Sequence, residues 1–306
     1  MADEITYTGS GADLRAAEIF NALIWENLVD RTDLRSTLVL LGDVGGSGSD
    51  TLTTPTATFN NAMAAANTDE TTAAGNTALS SGSVSLSVAH QILAYELSDK
   101  FMITAGAGNL GVANLAAQMA QAYIMRVTDL VCSTQEDFTA DVTASATMDV
   151  DAFISAIGTL EQAVVPGPYA AVLHNTQWTE LQSSLRSESN SIISYTPATY
   201  DQIAIKGPGF VGQLLGVDCF SVDSVTSAAS KYNGAMFGLG AIAMVEASPR
   251  MSMPGSVAAT VTPAGSPVYA EFARTADPGL SKIVGHAFCQ VGLLEDSRGC
   301  GLLSDA

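Results

Sequence analysis

From Ser36 through Asp99 the chain has no lysine and no arginine, and only six acids: Asp43, Asp50, Asp69, Glu70, Glu96 and Asp99. Positive charge is scarce throughout, with 12 Lys and Arg against 31 Asp and Glu and a formal charge of −19. The bases are scattered singly from Arg15 to Arg298, so no basic patch can neutralise a row of phosphates, which argues against sequence-specific nucleic-acid binding. An anionic membrane surface would repel such a chain. No apolar run approaches the ~20 residues that span a bilayer. The stretch Met1 to Tyr7 has neither a basic region nor an apolar signal segment, which sets the expectation of an intracellular product.

Cysteine is also sparse. Cys132, Cys219, Cys289 and Cys300 show no CxxC spacing and sit in apolar settings, which points to buried free thiols rather than a disulfide frame or a zinc site. His90, His174 and His286 form no HxH or HExxH pattern, and no GxSxG elbow is present. Adjacent acids at Asp69-Glu70, Glu136-Asp137 and Glu295-Asp296 read as solvated faces. The chain is therefore expected to have no catalytic residues, no metal and no cofactor.

What is present is a folding sequence. At 306 residues and 47% hydrophobic content it can fill a sizeable core in one large domain or two smaller ones. Leu14, Ala17, Phe20, Leu23, Ile24 and Leu28 recur at helical spacing, which predicts an amphipathic helix from about Asp13 to Val29. The polar run from Ser36 to Asp99 is too long for a structureless connection inside a domain. Within it Val84, Leu86 and Val88 alternate with Ser83, Ser85 and Ser87, the period of a half-buried strand, and Thr37 to Leu41 is a β-branched and apolar run able to pair with it. The pattern predicts a long two-stranded arm. A lone hairpin is marginal in water, so the arm is expected to lie on another copy of the chain.

An apolar segment, Ile92 to Ile103, precedes a long helix predicted from Leu110 to Cys132, with Leu115, Met119, Ala120, Tyr123, Ile124, Val127, Leu130 and Val131 as its apolar positions. Val150 through Val164 reads as a helix, Tyr169 to Leu173 as a strand, and Trp178, Leu181 and Leu185 as a further helix with Asn175 as N-cap. Strands are predicted over Val211 to Val222, Ala235 to Glu246, Val268 to Arg274 and Ile283 to Leu294, with Asp277-Pro278-Gly279 as a turn. Helices and strands mix without a regular strand-helix repeat, so the fold class is α+β.

Gly106-Ala107-Gly108-Asn109-Leu110-Gly111 is a literal GxGxxG at the start of a helix, the pattern that seats a pyrophosphate in dinucleotide-binding folds, with Asp129 as the candidate ribose ligand. The context is wrong: Asp129 lies inside the helical pattern and no succession of βαβ units comes after it. The plainer reading is a flexible turn into a long helix. A nucleotide-cofactor enzyme built on Gly106 to Gly111 stays as the alternative from another class. A cell-surface or filament protein is a looser one, suggested by the Ser, Thr, Ala and Gly content.

The order of the parts resembles a known family. A helical arm, a polar hairpin, a segment ending in Leu97-Ser98-Asp99, a long amphipathic helix, a helix-strand middle and closing strands are similar to the major capsid protein of tailed double-stranded DNA bacteriophages, the Hong Kong 97-type fold. Tyr169 to His174 followed by Gln177 to Leu181 resembles that family's central strand and helix. Gly209 to Val217 with Cys219-Phe220 resembles its glycine-punctuated strand pair, and Val268 to Asp296 its closing strands.

The resemblance implies an N-terminal arm at residues 1–36, an extended loop (E-loop) at 37–99, a P domain at 100–145 with its spine helix at 110–132, a central A domain at 146–247, and P-domain closing strands at 248–306. It implies a virion protein, assembled in the host cytoplasm, that builds hexamers and pentamers around DNA it does not grip by sequence. A separate scaffolding protein, a portal and cement or decoration proteins are the implied partners, and no membrane. The lysine-asparagine weld of some family members is excluded with the loop as donor, because the loop has no lysine. An encapsulin-like compartment shell shares the fold and is the nearest alternative. The expected intersubunit contacts are Phe20, Leu23 and Trp25 from the arm helix, Val84, Leu86 and Val88 from the loop, and Arg274 or Lys282 meeting the loop's acids.

Overall fold

A computed structural model describes residues 22–24, 26, 34–45, 47–58, 80–98, 109–144, 146–187, 195–207, 209–228, 230–247, 268–275 and 279–306. After a 3-10 turn at Leu34–Thr37 come β1 (Val39–Asp43), β2 (Thr51–Thr58), β3 (Ser80–Ser87) and β4 (Ala89–Ser98). Next are α1 (Asn109–Thr134), β5 (Asp141–Thr143), α2 (Val150–Gln162), β6 (Tyr169–His174), α3 (Asn175–Ser187), β7 (Tyr195–Pro197) and α4 (Tyr200–Lys206). The remainder is strand: β8 (Phe210–Leu214), β9 (Val217–Val222), β10 (Ser227–Ala228), β11 (Lys231–Gly238), β12 (Ile242–Glu246), β13 (Val268–Thr275), β14 (Leu280–Leu293) and β15 (Gly299–Asp305). Helices and strands are both present in quantity, as the α+β reading requires.

The helix α1 is 26 residues long and, at about 1.5 Å per residue, runs about 39 Å. Ala116, Met119, Ala120, Tyr123, Ile124, Val127, Leu130 and Val131 are buried at the expected three- and four-residue spacing, while Arg126 and Asp129 face out. The buried stripe packs on a five-stranded sheet ordered β1-β12-β14-β13, with β4 also on β14. Along β14 the residues Ile283, Gly285, Ala287, Cys289 and Val291 turn inward, and the alternation is the strand period at work. The approach is close at Gly285, where an added Cβ would lie 3.1 Å from Met119 Sδ.

The second sheet has eight strands ordered β5-β15-β11-β6-β9-β8-β7, with β10 on β11. Its central strands are buried on both faces. Val172, Phe220 and Phe237 join the core shared with α1, whereas Ala171, Leu173, Cys219 and Met236 join a second core with Phe153 and Leu160 of α2 and Leu181 of α3. Asp149 caps α2 by accepting from Ala152 N–H at 2.8 Å. The β8–β9 hairpin shows why its glycines are needed. Leu215 and Gly216 both have positive φ, 53° and 81°, as a two-residue primed turn demands. At Gly212, with φ 142°, a Cβ would lie 2.5 Å from Thr196 O.

Two local expectations are corrected. Asn175 does not cap α3; its Oδ1 accepts from Ser221 Oγ at 2.6 Å. The cap is His174, whose Nδ1 accepts from Thr176 N–H at 3.1 Å while its own N–H donates to Gln177 Oε1 at 3.0 Å, an N-cap with histidine in the position usual for serine. Gln177, fully buried, then donates to the carbonyls of Tyr232 and Leu302 and so ties α3 to β11 and β15. Second, the run at Thr37 to Leu41 does not pair with the arm strand. Its Val39 to Leu41 open β1, parallel to β12, and the arm's partner is β2. Periodicity does not reveal β2 because Thr51–Thr58 is almost wholly hydroxyl-bearing or small and contains Pro55, which a two-stranded ribbon tolerates where an N–H is not required.

From the 3-10 turn before β1, Arg35 reaches Glu246, a carboxylate only 6% exposed, in an ion pair. Tyr123 of α1 donates to the same Glu246 Oε1 at 2.8 Å, and the Arg35 guanidinium lies over the Tyr123 ring at 5.8 Å. Burial, then the Glu246 charge, raises the Tyr123 phenol well above its ordinary range. Arg35→Met leaves that carboxylate buried without its cation and is expected to cost on the order of 2–4 kcal/mol in urea unfolding. Lys282→Met, which breaks an exposed pair with Glu96, is expected to cost less than about 1 kcal/mol. Equal costs would show that the buried ion pair contributes no more than the exposed one.

The four cysteines are buried thiols outside any disulfide, as the sequence suggests. Burial pushes the thiol of Cys219 up to about 12 and those of Cys289 and Cys300 up to about 11. A thiol reagent at pH 8 is therefore expected to label the native chain at least tenfold more slowly than the urea-unfolded chain, since only the thiolate reacts.

Candidate assembly surfaces

The arm is a two-stranded ribbon of β2 and β3, paired from Thr51↔Ser87 to Thr58↔Ser80. Its two faces differ as the period-two pattern predicts. On one, Thr51 and Ser87 hydroxyls meet at 2.7 Å and those of Thr53 and Ser85 at 2.9 Å. On the other stand Leu52, Val84 and Leu86. That apolar face is covered at its base by the chain's own body: Leu86, 9% exposed, is buried with Val44, Ala243 and Val245, and Val84 and Val88 pack half-buried around them. The fit is tight enough that a Cβ on Gly292 would fall 2.4 Å from Leu86 Cδ2. Within one chain Leu86 thus has a cover of its own, and its docking on a neighbouring copy stays a proposal. Its side chain closes a core that the parallel β1–β12 pairing creates within one chain, and sequence periodicity cannot tell an own-chain surface from a neighbour's.

The other expected contacts distribute unevenly. Leu23 is half-buried against the main core beside Ile24, in helical backbone. Phe20 and Trp25, and the side chain of Arg274, lie outside the described residues. Lys282 sits opposite Glu96 in the β14–β4 register of the same chain, with Nζ 3.4 Å from Glu96 Oε1. Gly106 to Gly108 also lie outside the described residues. Among the described residues the strands flanking α1, β4 and β5, belong to different sheets and so do not make the parallel βαβ unit that a dinucleotide fingerprint needs.

Other surfaces carry features that sequence reasoning missed. The seven-residue α4 has no buried residue, leaving Tyr200 86%, Ile203 36% and Ile205 69% exposed. It is fixed by polar contacts instead: Gln202 Oε1 accepts from Thr199 N–H, and Lys206 Nζ donates to Asp218 at 2.6 Å. Beside it is a cleft of about 220 Å³ lined by Pro168, Tyr169, Ile205, Phe237 and Leu239. Lys206, the one cation among the described residues lining it, is already neutralised by Asp218, which gives an anion no purchase there. The signal for an exposed apolar α4 was the spacing of Tyr200, Ile203 and Ile205 within a stretch too short to bury a face. Among the described residues no group of His, Cys, Asp and Glu is placed to hold a metal ion, and no helix is long and apolar enough to cross a membrane.

Solved structures match this geometry extensively at low sequence identity. A Mycobacterium phage Che8 structure aligns over 89% of this chain and 91% of its own, with a TM-score of 0.59 at 15% identity. The capsid of Ralstonia phage GP4 aligns over 90% and 92%, with a TM-score of 0.61 at 9% identity. The holo-SrpI encapsulin from Synechococcus elongatus aligns over 89% and 87%, with a TM-score of 0.61 at 10% identity. No family model and no curated protein sequence matches the chain. The fold is the Hong Kong 97-type capsid fold, and phage capsid structures dominate the matches.

Leu86→Ala is expected to cost about 2–4 kcal/mol in the isolated chain, the range for deleting a buried leucine side chain. Urea unfolding of unassembled subunit checks this; a loss seen only after assembly would return Leu86 to an intersubunit role.

Proposed function

We propose that this chain is the major capsid protein of a tailed double-stranded DNA bacteriophage, a structural subunit without catalytic activity that assembles into hexamers and pentamers of an icosahedral head. The observation that carries the reading is a shared fold extending over about nine-tenths of both chains in phage capsid comparisons. The polar ribbon of β2 and β3 supports it, being a two-stranded element whose paired hydroxyls stand on an exposed face. The domain division belongs to this proposal and is drawn here along the two sheets. The A domain is the eight-stranded sheet with α2 and α3, to which β5 and β15 contribute from either side in sequence, and the P domain is the five-stranded sheet with α1 as its spine. The extended loop is the β2–β3 ribbon and the residues between its strands. Scaffolding, portal and decoration proteins are the proposed partners, and the virion, built in the host cytoplasm, the proposed location.

The energetics are compatible with so acidic a subunit. Obligate interfaces bury on the order of 2,000–5,000 Å², and at ~25 cal/mol per Å² of apolar area such contacts outweigh charge repulsion screened over a Debye length of ~8 Å. DNA would be confined by the shell, with no basic groove to hold it. The encapsulin match gives a second reading, a compartment shell enclosing protein.

Negative-stain microscopy and sedimentation of the purified chain, with and without salt and magnesium, test the proposal. Closed shells or capsomer rings, favoured by added salt, are expected. A monomer under every condition, including with the candidate scaffolding protein encoded beside it, would overturn it. Terminase and portal genes in the neighbourhood favour the phage head, and a cargo-enzyme gene favours the compartment.

A further inference from the structure

His90 and His286 share no motif in the sequence, yet the β4–β14 pairing sets them side by side. His90 lies opposite Phe288 and Ile92 opposite His286 in the antiparallel register, and the two imidazoles approach across the diagonal with His90 Nε2 3.0 Å from His286 Nδ1. Aromatic rings line up around them: His90 stacks on Phe288 at 4.5 Å and on His286 at 5.2 Å, and Tyr269 of β13 stacks on His286 at 4.9 Å. The remaining nitrogen, His286 Nε2, is buried and 3.4 Å from Glu271 Oε2 without forming a proper hydrogen bond. The ladder stands on the outer face of the sheet, opposite α1. Its place is telling, because His90 is the second residue of β4 and comes only a few positions after the arm strand β3 ends.

We propose that His90 and His286 form a proton-sensitive clasp at the root of the β2–β3 arm, closed while the pair holds at most one extra proton and loosened when both rings are charged. The proton count explains the threshold. With both rings neutral, one nitrogen of the 3.0 Å contact donates and the other accepts. One added proton is tolerated, since a charged His286 can donate from Nδ1 to a neutral His90 and direct its Nε2–H at Glu271. A second proton leaves an N–H on each side of the contact and no acceptor, with two like charges on stacked rings. Among the described residues the charged and titratable groups facing the pair are few. Glu271 and Tyr269 come from β13, and Lys282 from β14 is paired with Glu96 of β4, further along the register than the His286–Ile92 pair. On the arm side Asp50 accepts from Val88 N–H through its carbonyl oxygen and from Thr51 Oγ1 through its carboxylate. One acid near His286 can offset one charge and not two.

Burial first, and the neighbouring His90 second, lower the pKa of His286 against the opposing pull of Glu271. A histidine depressed in the folded state binds protons more readily unfolded, so its contribution to stability is present above about pH 6.5 and is lost as pH falls below it. The clasp belongs to a single chain and stands independently of the capsid reading.

Hydrogen exchange of the full chain, corrected for the intrinsic pH dependence, tests it at the amides of residues 86–92 and 284–290. Between pH 7.5 and 4.5 the wild type is expected to lose protection at these amides at least tenfold, and His90→Phe, which keeps a ring in the stack without a titrating group, less than twofold. The His286 resonance in His90→Phe is expected to titrate at higher pH than in the wild type. Equal loss of protection in both proteins, no loss in the wild type, or an unmoved His286 titration would each overturn the proposal.

Discussion

The burial of Glu246 is the constraint around which the chain is arranged. A carboxylate at the end of β12, inside the main core, is tolerable only with a cation and a hydrogen-bond donor at hand, and these come from distant parts of the sequence. Arg35 reaches it from the turn before β1, and Tyr123 from the middle of α1. Both contacts are made in an arrangement where β1 lies parallel to β12 and α1 packs on the five-stranded sheet with Tyr123 facing it. Both placements propagate through the subunit: β1 carries the chain to the arm, and the α1 stripe covers the inward face of β14. The apolar contacts supply most of the cohesion, but they would tolerate a shifted packing that a three-way polar contact would not.

The arm owes its form to the same arrangement. Its two faces are chemically opposite, one of paired hydroxyls and one of aliphatic side chains, and the aliphatic face is closed at its root by Val44, Ala243 and Val245. Because β3 runs into β4 after a single residue, the arm is a continuation of the sheet and its direction is fixed by the β4–β14 register. The root is thus held by Leu86 on one side and by the His90–His286–Phe288 ladder on the next strand. A projecting ribbon anchored in this way can meet other molecules along its polar face while its base remains part of the subunit.

Much of this was legible in the residues. The three- and four-residue spacing from Leu115 to Val131 marked α1 and its buried stripe, and the alternation at Val84, Leu86 and Val88 marked both a strand and its apolar face. The segments from Val211 onward read as strands, and four apolar cysteines read as buried thiols. The order of parts carried the resemblance to the capsid fold, which the structural comparisons bear out at sequence identities of 9–15%. What failed to show was β2, whose threonines and proline carry no apolar alternation, and the cap of α3, where a histidine does the work usually given to serine or aspartate.

The sequence by itself determined the charge, the periodicities and the faces of the elements, because these depend on neighbours within a turn or a strand. Only the tertiary structure decided which surfaces those faces meet. Arg35 and Glu246 are 211 positions apart and His90 and His286 are 196 apart, so no local pattern links them. The same holds for Leu86, whose hydrophobicity demanded a cover without saying whose. A strand's period reports that one face must leave water, whereas its partner is chosen by register and by the buried polar groups that admit one packing and reject the rest.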